Sequence, residues 1–166
     1  MRVSFVILFL IAFIASCKSK EKMATESSAA NDTILLASVE RTPCFGRCAT
    51  YKLSIYQSGY AVYHGKRNVK NVGYFSTRIA KEQTEQLRQY IIDNNILELN
   101  DTYVNPHIAD YPTTFTEANL NGSYKHIAET DPEAPKIVKS FAKYVDSFFN
   151  DSTQWIPLSV PEEELK

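Results

Sequence analysis

A chain of 166 residues with a formal net charge of −1 lacks the basic balance of a nucleic-acid binder, so no polyanionic partner is implied. The part that follows residue 33 has the usual size of one domain and holds most of the ten tyrosines and nine phenylalanines, enough for one core. It contains no internal repeat and no heptad run.

Met1 and Arg2 make a short positive start, residues 3–14 an almost unbroken apolar run, and Ala15 and Ser16 put small side chains before Cys17. This is the pattern of a secretory signal over residues 1–16. The twelve residues of this run, if helical, reach only about 18 Å against ~30 Å of hydrocarbon, too short to span a bilayer. The stretch Ile14-Ala15-Ser16-Cys17 resembles the bacterial lipobox, which implies that Cys17 is acylated, begins the mature protein and ties it to a membrane of the cell envelope. Two or more acyl chains make such an anchor effectively permanent. Removing residues 1–16 takes away Arg2 alone and moves the net charge from −1 to −2.

Residues 17–33 form the lipidated cysteine and a polar linker with no aromatic residue, which cannot bury enough surface to fold. Sixteen flexible residues reach about 20–24 Å, so the domain works close to its membrane. Surface-exported bacterial lipoproteins often carry acidic residues after the lipidated cysteine; Lys18-Ser19-Lys20 here favours a periplasm-facing position, with surface exposure the alternative. Asp32-Thr33-Ile34 is similar to a bacterial Asp-Ser/Thr-apolar O-glycosylation site, although the plain end of a linker is the simpler reading.

The domain is expected over residues 34–155. Residues 34–41 are apolar and β-branched enough for a strand, and residues 50–57 alternate, with Tyr51, Leu53 and Ile55 on one side and Lys52, Ser54 and Tyr56 on the other. Ser58-Gly59 predicts a tight turn, residues 60–65 a third strand and residues 69–77 a fourth. Thr84, Leu87, Tyr90 and Ile91 then recur at helical spacing within residues 81–94, with Ala80 at the N-cap. Residues 113–120 and 124–129 flank Asn121-Gly122, a type I′ hairpin signal. After Asp131-Pro132-Glu133, the positions of Ile137, Phe141, Tyr144, Val145 and Phe148 predict a second amphipathic helix. Residues 156–166, polar and ending in Glu162-Glu163-Glu164, read as a frayed tail. The order ββββ-α-ββ-α argues for an α+β fold: an antiparallel sheet with two helices packed on one face.

With Cys17 lipidated, Cys44 and Cys48 form an even pair in an oxidising compartment, which reads as a disulfide closing a five-residue loop in which Gly46 lets the chain double back. Loop-closure entropy gives such a staple only about 2 kcal/mol. A redox-active dithiol is a second reading, though reactive pairs usually show Cys-x-x-Cys at a helix start; a metal site is a third, for which only the scattered His64, His107 and His126 are at hand.

The run Glu40-Arg41-Thr42-Pro43-Cys44-Phe45-Gly46-Arg47-Cys48, followed by Tyr51, Leu53, Ile55, Gly59, Tyr63 and Gly65, resembles an uncharacterised family of secreted bacterial domains in which an R-T-x-C-F-G-x-C loop precedes a hairpin. Ile108-Ala109-Asp110-Tyr111-Pro112-Thr113 is similar to a second block of that family. The resemblance spans about residues 34–150 and implies a boundary, not an activity.

No catalytic constellation is visible. Ser140-Phe141-Ala142-Lys143 matches Ser-x-x-Lys but falls mid-helix without the companion motifs of penicillin-recognising enzymes. His107 with Asp110 makes a conceivable acid–base pair, but Asp before Tyr-Pro is more simply a turn residue. Lys66, Arg67 and Lys70 form a small basic loop whose ordinary fate is solvation. The reading leans away from an enzyme, with no cofactor, no metal and no catalytic residue assigned. It points to a non-enzymatic binding domain with an envelope protein or glycan as partner, using a loop of Arg41, Phe45, Gly46 and Arg47 and a second surface of Tyr56, Tyr63 and Asp110. The alternative is a thiol-disulfide or metal-handling protein using Cys44 and Cys48.

Overall fold

The computed structural model describes residues 33–108, 111–150 and 153–159. Cys17, the signal and almost all of the linker, Asp110 and most of the tail lie outside them. The elements are β1 (Leu35–Arg41), β2 (Thr50–Tyr56), β3 (Tyr60–Arg67), β4 (Gly73–Arg78), α1 (Lys81–Asp93), a 3-10 turn (Ile96–Glu98), β5 (Thr102–Tyr103), β6 (Thr114–Leu120), β7 (Ser123–Glu129), α2 (Lys136–Asp146) and β8 (Ile156–Pro157).

These form one α+β unit in which the strands lie in the order β5-β7-β6-β1-β2-β3-β4-β8. Two expectations are corrected. The sheet is mixed, because β5 runs parallel to β7 while every other pairing is antiparallel. The strands also do not lie in chain order, since β6 docks on the free side of β1 and makes the first strand central. That central position matches the burial of Leu36, Ala37, Ser38 and Val39, which are flanked by a hydrogen-bonded strand on either side. The strand expected over residues 69–77 starts four residues late. Asn68 takes a left-handed conformation, and the following loop folds back until the Asn71 carbonyl would lie 1.9 Å from a Cβ at Gly65. Residue 65 must therefore be glycine.

Local signals hold elsewhere. Asn121 (φ 53°) and Gly122 (φ 82°) make the β6–β7 turn with the positive φ that type I′ requires. Gly59 closes β2 on β3 at φ 83°. Helix α1 starts after Ala80, with no side chain capping its first amides, and buries Thr84, Leu87 and Ile91. Helix α2 buries Val138, Phe141, Ala142 and Val145. Tyr90 of α1 stacks on Tyr144 of α2 at 4.3 Å, and both helices share one core with the inward rows of the sheet. Phe141 is fully buried, so the Ser-x-x-Lys match on α2 lies on a packed helix. The two-residue strands β5 and β8 fall below the length at which a period can be read. β8 begins where a tail was expected, and its Pro157 is at the sheet edge, where a missing donor costs nothing.

Candidate functional site

The helices cover one face of the sheet, and the register fixes which side chains lie under them. Ala37, Ile55 and Ala61 pair across β1, β2 and β3, as do Val39, Leu53 and Tyr63. Tyr63 is therefore in the inward row, 3 % exposed and stacked on Phe149 at 3.6 Å. Tyr56 faces the opposite way and packs against Tyr60 at 6.0 Å. The two tyrosines expected as neighbours are on different faces, because the turn at Gly59 puts Tyr63 opposite Leu53.

At the inward end of β1 the Arg41 guanidinium donates to Asp146 Oδ2 of α2 at 2.5 Å and to Thr114 Oγ1 at 2.9 Å. The Tyr51 hydroxyl donates to Asp146 Oδ1 at 2.7 Å. Burial and the adjacent carboxylate push the Tyr51 phenol up to about 12. Arg41 thus ties β1, β6 and α2 together, although it borders the loop in sequence.

That loop, residues 42–49, is closed by the Cys44–Cys48 disulfide, with Cα atoms 5.7 Å apart. Gly46 does not use a positive φ; its amide donates to Cys44 Sγ at 3.3 Å instead. Thr42 N donates to Thr113 O at 3.1 Å and Asn68 Nδ2 to Cys48 O at 3.1 Å, so neighbouring loops brace both ends. Phe45 is 91 % exposed and Arg47 is exposed beside it. Among the described residues no three His, Cys, Asp or Glu side chains come together to hold a metal ion. His107 is exposed, its amide bonded to Asn105 Oδ1.

The uncovered face carries an arrangement not foreseen from the sequence. One register row crosses five strands: Phe115 of β6, Glu40 of β1, Lys52 of β2, His64 of β3 and Tyr74 of β4. Its ends are aromatic, with His64 stacked on Tyr74 at 3.8 Å and Phe115 on His126 of β7 at 5.3 Å. Its middle is ionic. Lys66 Nζ meets Glu40 Oε1 at 2.6 Å, and Lys52 Nζ stands 3.8 Å from Glu40 and 3.5 Å from Glu117. Glu117 also accepts from Ser38 Oγ at 2.5 Å and from the Tyr124 hydroxyl. Burial works to raise the Glu117 carboxyl, but these donors and Lys52 outweigh it and hold the group below its ordinary value. The bond to Glu117 in turn pushes the Tyr124 phenol up to about 12. Ser38, Glu40, Lys52, Phe115, Glu117 and His126 line a depression of about 230 Å³.

A family model for a domain of unknown function matches residues 36–149. The chain belongs to that family, DUF6438. The match runs from β1 to just beyond α2, so the DUF6438 domain contains the disulfide loop, the Asp146 contacts and the whole open-face row, while β8 lies past it. No curated protein matches the chain.

Two-residue alternation along each strand does show which residues share a face. It leaves open that Phe115 would sit beside Glu40, because β1 and β6 are separated by most of the domain and no local signal sets their register.

Proposed function

We propose that this chain is a lipid-tethered domain of the bacterial cell envelope that binds another envelope component through its disulfide-closed loop. The observation that carries the reading is the 91 % exposure of Phe45 between two bridged cysteines. An aromatic side chain on a covalently restrained loop is a pre-organised anchor, because little loop entropy remains to be lost on binding. Arg47 beside it adds a planar charged donor. Arg41, engaged by Asp146, serves the loop from behind by holding the end of β1.

Lipidation at Cys17 rests on the resemblance of residues 14–17 to a lipobox. The linker joins the domain at the start of β1, and the loop follows the other end of that strand, about 23 Å away at ~3.3 Å per residue. The loop is thus at the pole opposite the attachment, which suits a partner lying outward from the anchoring membrane. Among the described residues no helix is long and apolar enough to cross a membrane.

Crosslinking in intact cells tests the binding role. Wild-type protein should capture a component that Phe45→Ala, folded normally, loses, and that the Cys44→Ser/Cys48→Ser variant captures less well. Equal capture by all three rejects the loop. The mass of the native protein tests the address: an unmodified, uncleaved amino terminus rejects it.

A further inference from the structure

We propose that the open face of the sheet is a saccharide-binding surface, taking a neutral oligosaccharide along the row of Phe115, Glu40, Lys52, His64 and Tyr74. This site is separate from the disulfide loop and does not depend on it.

The charge on the row selects the ligand class. At the middle of the row two glutamates, Glu40 and Glu117, face two lysines, Lys52 and Lys66, so the four charges beside the depression cancel, and the Arg78 cation on this face stands apart over Tyr60. An apolar ligand is excluded because it would strip water from four charged groups. What remains is a neutral molecule rich in hydroxyls, with apolar C–H faces for the rings at either end.

Geometry supports the same class. Lys66 meets Glu40 tightly at 2.6 Å, whereas Lys52 is shared between Glu40 at 3.8 Å and Glu117 at 3.5 Å, both longer than the ~2.7–2.9 Å of a tight charge-assisted bond. Its donors can turn to a ligand hydroxyl, with Glu40 accepting from the next one. The depression of about 230 Å³ is below the ~300 Å³ where drug-sized pockets begin, and suits a single sugar ring with Phe115 and His126 as its wall. The second aromatic station, His64 on Tyr74, begins three strands away, ~14 Å at ~4.8 Å per strand. A lone ring cannot touch both stations. A chain of sugars laid across the strands can.

The test is titration of the full-length protein, followed by backbone amide NMR, with neutral gluco-, xylo-, manno- and chito-oligosaccharides from monosaccharide to hexasaccharide. Binding should tighten with chain length, change little with salt, and shift amides of β1, β2, β3 and β6. Phe115→Ala and Tyr74→Ala should each weaken it about tenfold, the worth of one aromatic contact. Lys52→Met should weaken it as well, while Phe45→Ala leaves it unchanged. Tyr74 lies near the sheet edge, so its variant reports even if Phe115→Ala fails to fold. The proposal is overturned if no member of the set binds, if binding survives both Tyr74→Ala and Lys52→Met, or if only charged oligosaccharides or peptides bind, with affinity falling steeply in salt. Because Phe45→Ala is silent here and decisive for the loop, each idea can fail without the other.

Discussion

Asp146 should be the most sensitive polar position in the domain. Its two carboxylate oxygens accept separately, Oδ2 from Arg41 at 2.5 Å and Oδ1 from Tyr51 at 2.7 Å, and so pin the end of α2 to β1 and β2. A hydrogen bond to a charged group contributes about 1.5–3 kcal/mol net and a bond typical of folded proteins about 1 kcal/mol. The Arg41 and Asp146 side chains are 28 % and 23 % exposed, so water can enter once the carboxylate is gone, which moves both contributions to the low end. Asp146→Ala should then cost about 2–3 kcal/mol in urea unfolding, with an unchanged m-value. Tyr51→Phe should cost about 1.5 kcal/mol in the wild type and almost nothing on top of Asp146→Ala, giving a coupling near ~1.5 kcal/mol in the double-mutant cycle. If Asp146→Ala costs under ~0.5 kcal/mol, or if Tyr51→Phe costs the same with and without the carboxylate, the contact does not stabilise the fold as argued.

Ala80→Ser should stabilise the protein by about 1 kcal/mol in the same assay, because Ala80 caps α1 with no side-chain acceptor for the free amides. Gly65→Ala should lose roughly 2–4 kcal/mol or fail to fold, since the new Cβ meets the Asn71 carbonyl at 1.9 Å. Gly46→Ala should be within about 0.5 kcal/mol of wild type, its Cβ making an ordinary 3.7 Å contact with Cys44 Sγ. For pH, Tyr51 holds its proton more tightly when folded, up to about 12 from 10.0, so its contribution is complete below pH 10 and disappears as pH rises through 12. Urea midpoints should fall over that window, less so in Tyr51→Phe. Glu117 has the opposite sign: its carboxyl is lowered from 4.5, so its contribution is present above that pH and is lost on acidification through the folded value. Glu117→Gln should flatten the acid limb.

The cysteine staple, the Asn121-Gly122 turn, the apolar stripes of α1 and α2 and the alternation along β2 were all legible in the sequence. Each depends on residues a few positions apart: a loop that closes on itself, a backbone that needs positive φ, a period of 3.6 or 2. Tyr63 was within reach by the same logic, since counting back from the turn at Gly59 puts it opposite inward-facing Leu53. The tertiary structure alone decided that β6 pairs with β1, that β5 runs parallel to β7, and that Asp146 closes on Arg41, 105 residues away. It also decided the open-face row, whose members come from five strands. Those pairings follow from burying the whole apolar surface at once, and a sequence read in short windows carries no term for that.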